Sequence, residues 1–169
     1  MMREPRTELI LMVNYIVSGL ERSGTSMMMQ ILLKGGFPIA YDEKRKPDEN
    51  NPKGYFELEG GKIINRLMEG TFDFDKYDGK CIKITAYGLK FLPNGIKYKI
   101  IYMVREPEEV FASMEKMSGK PLTSEEKMAL LKLNEFCIKL MKERDDIDFI
   151  IVRYNDVLEN PRKELERVK

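Results

Sequence analysis

Residues 19–26 read Gly-Leu-Glu-Arg-Ser-Gly-Thr-Ser. Two glycines bracket a turn, and two hydroxyl side chains follow the second. An apolar run with Ile10, Val13, Ile16 and Val17 precedes the turn, and Met27, Met28 and Met29 follow it. A strand, a glycine-bounded turn and a helix start in that order put unpaired backbone N–H groups at a helix N-terminus. Their dipoles favour an anion there. Arg22, Thr25 and Ser26 add side-chain donors, with Ser23 and Gly24 in the same turn. The chemistry on offer is the cradling of a phosphate-type group.

The loop has the frame of a Walker A loop, G-x-x-x-x-G-K-[ST], but Thr25 stands where lysine would reach the β- and γ-phosphates. The apolar run 97–104 ends in Arg105, not in the aspartate that helps hold magnesium. Two groups needed for a magnesium triphosphate are missing together, so the loop suits a smaller anion bound without metal. The chain has no histidine. That excludes imidazole as base, nucleophile or metal ligand. Cys81 and Cys137 show no C-x-x-C spacing and cannot build a structural zinc site alone. They read as reduced thiols of a cytoplasmic protein. The three methionines read as core packing at a helix start.

Residues 18–26 resemble the 5′-phosphosulfate loop of the sulfotransferases, many of which read Gly-x-Pro-Arg-Ser-Gly-Thr followed by Thr or Ser. Glu21 replaces the usual proline and is expected to face solvent. Residues 100–114, IIYMVREPEEVFASM, are similar to the family's 3′-phosphate motif, with Arg105 at a strand end and Ser113 eight residues on. An arginine fork and a serine about two helical turns later could grip one phosphate. Residues 152–161, VRYNDVLENP, resemble the Arg-Tyr-Glu-Asp-Leu segment, which would bring Tyr154 near an adenine; Asn155 stands for the usual glutamate.

The resemblance implies 3′-phosphoadenosine 5′-phosphosulfate as donor and an acceptor hydroxyl or amine, on a carbohydrate, a lipid, a small alcohol or a peptide tyrosine. It gives Arg22 and Lys83 the role of offsetting negative charge on the transferring group. Lys83 lies in Lys-Ile-Thr-Ala, near the place of the family's Lys-Thr-His, and Thr85 or Ala86 stands where that histidine would be. Family members with an Arg-Ser-Gly-Thr loop often use glutamate as base. Glu57 and Glu59 are the candidates. Glu57 is preferred because Tyr55 and Phe56 are placed to desolvate it. The structural alternative for either is a charge near a helix N-terminus. Lys53 and Arg66 are further cations without a motif. A P-loop kinase or nucleotide hydrolase, and a catalytically silent nucleotide-binding domain, are the alternative functions. No further glycine- and basic-rich segment follows to close over a nucleotide, so a second subunit in a homo-oligomer could complete the site.

The elements that must hold these residues follow from composition and pattern. The chain has 169 residues, 43% hydrophobic and 34% charged, which suits one globular domain over 1–169. A net charge of +1 gives no global case for nucleic acid or an acidic membrane. The longest apolar stretch, 9–20, contains Asn14 and Ser18 and is too short to span a bilayer. Strands are expected at 10–18, 37–41, 80–85, 97–104 and 148–152, and a polar loop at 42–54. Helices are expected at 25–34, 58–69, 107–117, 123–144 and from 161 onward, with a turn from Asn155. Pro107 suits a first helical position, and Thr123 with Glu126 forms a capping box. The long helix should bury Met128, Leu131, Phe136, Cys137, Leu140 and Met141. Strands alternating with helices predict an α/β fold: a three-layer sandwich with a mostly parallel central sheet, of P-loop nucleotide-binding type. Gly19, Thr85 and Arg105 all follow strands, so they should share the rim where ligands of such sheets bind.

Overall fold

The computed structural model describes residues 12–169. Four parallel strands lie in the order β2-β1-β3-β4: β1 is Val13–Gly19, β2 Cys81–Lys83, β3 Lys97–Val104 and β4 Ile147–Arg153. Positions 10 and 11 of the expected first strand lie outside the described residues. The long register of β1 on β3, Val13↔Lys97 through Gly19↔Met103, brings Gly19 and Arg105 to one edge of the sheet.

Side chains alternate across the strands and build a core on each face. Ile16, Ile82, Ile100, Tyr98 and Tyr102 pack with Leu67, Leu89, Cys137 and Met141. Those partners come from α2 (Ile63–Glu69), the 3-10 segment Ala86–Phe91 and α4 (Ser124–Glu143). Val17, Cys81, Met103 and Val152 face the other way, onto Met28 and Met29 of α1 (Thr25–Lys34) and Val157 of α5 (Tyr154–Glu159). The three-layer α/β sandwich is therefore present. Met28 and Met29 are fully buried, and burying such a side chain contributes about 1.5–3 kcal/mol. The methionine run is packing, as its position at a helix start implies.

α1 keeps the expected bounds, and Gly36, at φ +81°, turns the chain after it. α3 (Pro107–Ser118) starts on its proline, and Thr123 and Glu126 make the reciprocal capping box of α4. α6 covers Pro161–Val168.

Four expectations need correction. The strand at 37–41 is one bridge, Ile39↔Cys81; Pro38 has no N–H to extend a ladder. The helix at 58–69 is a 3-10 turn, Glu59–Gly61, followed by α2, because Glu59, Gly60 and Gly61 take positive φ. The turn from Asn155 is helix α5, beginning at Tyr154. The buried stripe of α4 is rotated: Met128 is 52% and Phe136 46% exposed, while Leu130, Leu133, Cys137, Leu140 and Met141 face the core. Among the described residues no helix is long and apolar enough to cross a membrane.

Candidate functional site

One cleft lies at the carboxyl ends of the strands. It is lined by Arg22, Gly24, Thr25, Ser26, Glu57, Lys83, Arg105 and Tyr154, together with Arg45, Asn50, Asn51, Tyr55 and Thr85. Most of the residues named from the sequence meet there. Ser23, Ser113 and Glu59, with the cations Lys53 and Arg66, do not line it. Ser23 is buried, and its hydroxyl donates to Leu20 O at 2.6 Å, pinning the turn from inside. Ser113, half-buried on α3, accepts from Arg22 Nε at 2.9 Å.

The loop after β1 is shaped by close approach. A Cβ on Gly19 would lie 2.5 Å from Met103 O, and one on Gly24 2.6 Å from a ring carbon of Tyr154. Arg22 has φ +66° without being glycine, a strain of roughly 1–3 kcal/mol that the surrounding contacts must hold. Its guanidinium donates to Ser113 and to Asn50 O, the latter at 3.0 Å, and its carbonyl accepts from Arg105 Nη1 at 3.1 Å. Arg105 and Ser113 thus both grip Arg22. The Arg105 guanidinium lies over the Tyr154 ring, 4.2 Å from its centroid, and reaches Glu109 at 3.7 Å. Its buried Nε has no hydrogen-bond partner among the described residues. At the start of α1 no side chain caps the helix, so its first N–H groups open toward the cleft. Glu21 is exposed. An orphaned arginine N–H and an uncapped helix start on one wall suit a bound anion.

The other wall is a charge cluster. Lys83, at the end of β2, is buried, and its ammonium donates to Tyr55 O at 2.7 Å and to Ser26 Oγ at 3.0 Å. It pairs with Glu57 at 3.4 Å. Burial lowers its pKa from 10.5 to about 8, with the charge of Glu57 opposing that shift. Glu57 also accepts from Arg45 Nη1 at 3.3 Å, and Arg45 stacks on the Tyr55 ring, 3.6 Å from its centroid. The Tyr55 hydroxyl donates to Asp48 at 2.8 Å, which holds that carboxyl below its ordinary range. What surrounds the Glu57 carboxylate is thus charge rather than aromatic rings: Tyr55 is turned to Asp48 and Arg45, and Phe56 packs edge-on against Tyr41. Glu59 pairs with Arg66 at 3.0 Å.

The backbone here is as strained as in the loop. Phe56 and Glu59 have φ +53° and +55°. Gly61, at φ +87°, lets the carboxylate in, since a Cβ there would sit 2.7 Å from Glu57 Oε2. Sequence reasoning missed Arg45, which falls in a loop legible only as polar; the one signal was its place in the Lys44-Arg45-Lys46 run. Burial pushes the thiols of Cys81 and Cys137 up, to about 12 and about 11, so neither is a nucleophile near neutrality. Among the described residues no group of three or more acidic or cysteine side chains could hold a metal ion.

No family model matches the chain, and no curated protein matches its sequence. Solved structures do. The sulfotransferase domain of the olefin synthase from Synechococcus PCC 7002 is similar over 94% of this chain and 72% of its own, at 14% identity and a TM-score of 0.55. A sugar kinase from Janibacter sp. HTCC2649 matches over 93% and 92%, at 15% identity and a TM-score of 0.46. A gluconokinase from Sinorhizobium meliloti 1021 matches over 92% of each chain, at 14% identity and a TM-score of 0.40. What the chain shares with the first of these is its fold, an α/β sandwich of P-loop type.

Proposed function

We propose that the chain is a sulfotransferase-like enzyme that moves a sulfuryl group from 3′-phosphoadenosine 5′-phosphosulfate to a hydroxyl or amine. One observation carries the reading. A single cleft has an arginine-rich wall with an orphaned N–H and, opposite, a buried lysine beside a carboxylate. The first N–H groups of α1, with Gly24, Thr25 and Ser26, would hold the 5′-phosphosulfate, with Arg22 and Lys83 offsetting its charge. Ser23 would serve through the shape of the turn. Arg105 and Ser113 would take the 3′-phosphate; Ser113 accepts from Arg22 and keeps its own O–H to donate. Tyr154 would stack near the base.

In the transfer, the acceptor oxygen or nitrogen forms a bond to sulfur as the bond from sulfur to the bridging phosphate oxygen breaks. The leaving group is 3′-phosphoadenosine 5′-phosphate. The acceptor's proton passes to Glu57, which Arg45 and Lys83 hold in place. Lys83, charged below about pH 8, offsets the charge gathering on the leaving phosphate.

A second reading, phosphoryl transfer from a nucleoside triphosphate, has one observation in its favour. The ammonium missing from position 25 arrives in space from β2, since Lys83 donates to Ser26 Oγ. Calorimetry separates the two. The bisphosphate product should bind and magnesium ATP should not; the reverse result sinks the sulfuryl reading. With labelled donor and a panel of acceptors, Glu57→Gln should lower transfer by roughly 10²–10⁴-fold while the bisphosphate binds as before. Undiminished transfer assigns the base elsewhere.

A further inference from the structure

The cleft does not end at Glu57. Glu21, Arg45, Glu57, Lys83 and Thr85 also line a second cavity, whose far wall is Gly60, Gly61, Ile63 and Ile64. Arg45 and Gly60 in turn line a third hollow, with Lys44, Glu59 and Lys62. Neighbouring hollows share lining residues, in the order of an anion wall, then the Glu57–Lys83–Arg45 cluster, then an outer basin. Gly60, at φ +64°, lies at the junction and lines both the second and the third hollow.

The basin's charge is one-sided. Of the residues lining it, Lys44, Arg45 and Lys62 are cations and Glu59 is the one acid, taken by Arg66 at 3.0 Å; the Asp42 carboxylate beside them accepts from the backbone N–H groups of Lys44 and Glu59. Lys44 and Lys62 make no ion pair among the described residues. Glu57, the next acid inward, is held by two cations. A concave surface with surplus positive charge concentrates its field and favours anions.

Resting on the sulfuryl-transfer reading, we propose that the acceptor is an anion: a hydroxyl compound bearing a carboxylate or phosphate. Its hydroxyl lies at Glu57, and its charged group reaches the basin between Lys44 and Lys62. Ile63 and Ile64 give the connecting part an apolar wall.

The test uses acceptors matched in all but charge: 4-hydroxyphenylacetate with 4-hydroxyphenylethanol, galacturonate with galactose, glycerol 3-phosphate with glycerol. Labelled-sulfuryl transfer should show the anionic member of an accepted pair at least about tenfold higher in kcat/KM, the scale of a well-placed charge contact. The double variant Lys44→Glu, Lys62→Glu should bring that ratio to one or below. Bisphosphate binding, measured on the same variant, checks that it is folded. Equal use of both members, a ratio that charge reversal leaves unmoved, or no transfer to any anionic member by a protein that binds bisphosphate overturns the proposal. If bisphosphate itself does not bind, the donor reading has failed, and the two failures are told apart.

Discussion

The cleft is built from two strained turns that solve different problems. The turn at 19–26 holds its shape through backbone: Ser23 N–H and hydroxyl both return to Leu20 O, and Gly19 lies against Met103 O. The segment 55–61 holds its shape through charge: Glu57 is fixed by Arg45 and Lys83, with Gly61 only making room. An anion cradle needs N–H groups in fixed directions, and those come with the fold. A carboxylate that accepts a proton needs a tuned surrounding, and that comes from side chains. The first turn should therefore be sensitive to shape and indifferent to pH. The second should be the reverse.

Gly24→Ala tests shape and carries the largest expected effect. The methyl group would overlap Tyr154 at a φ of +102°, so bisphosphate affinity should fall at least about 100-fold, consistent with a strain of roughly 1–3 kcal/mol plus displacement of the ring. Affinity within a few-fold of the parent, by calorimetry, would mean the loop is softer than its contacts imply.

Charge is tested next. Transfer should decline above about pH 8, as Lys83 loses its proton, by about tenfold per unit. Lys83→Arg should remove that decline below pH 10, whatever it does to the maximum rate. Stability runs the other way. The folded pKa is lowered, so between about 8 and 10.5 the unfolded chain holds the proton that the folded chain has lost. The contribution of Lys83 to stability therefore rises with pH across that window. Bisphosphate binding should cross pH 8 with a smaller change than transfer does. If both fall alike, the two turns are not separable.

The smallest effect belongs to Gly61→Ala. Forcing an alanine into the backbone at φ +87° costs roughly 1–2 kcal/mol, and the methyl would displace Glu57 Oε2. Transfer should drop several-fold with donor affinity unchanged. A drop in affinity would show that the second turn also shapes the first.

The same division explains what was legible in the sequence. β1, α1 and β3 were readable because apolar runs, glycines and Pro107 act locally. The assignment of Gly19, Thr85 and Arg105 to one rim followed from the rule that ligands sit at strand ends, and Tyr154 came in only through the resemblance of residues 152–161. The partners of Glu57 were not readable. Arg45 comes from twelve residues upstream through a polar loop, and nothing in local pattern couples the two. Nor did pattern show that Arg22 stands between Arg105 and Ser113, because that depends on a left-handed backbone at a residue that rarely adopts one. On α4, Cys137, Leu140 and Met141 face the core as their spacing predicts, but the rest of the stripe is displaced. Met128 and Phe136 lie off the core, where Lys90 covers the Phe136 ring from 5.1 Å.

The strand order carries one more consequence. Lys83, the 19–26 loop, Arg105 and Tyr154 hang from the ends of β2, β1, β3 and β4, which are successive neighbours in the sheet. Adjacent strands are about 4.8 Å apart, so the four anchors stand on a ruler roughly 14 Å long. Backbone hydrogen bonds fix its graduations, and no loop can stretch it. Loops 42–54 and 56–61 lie off this ruler and touch it at Asn50 O, which holds Arg22, and at Glu57, which pairs with Lys83. On the sulfuryl-transfer reading, such a frame keeps the donor's groups in register while the loops set the acceptor.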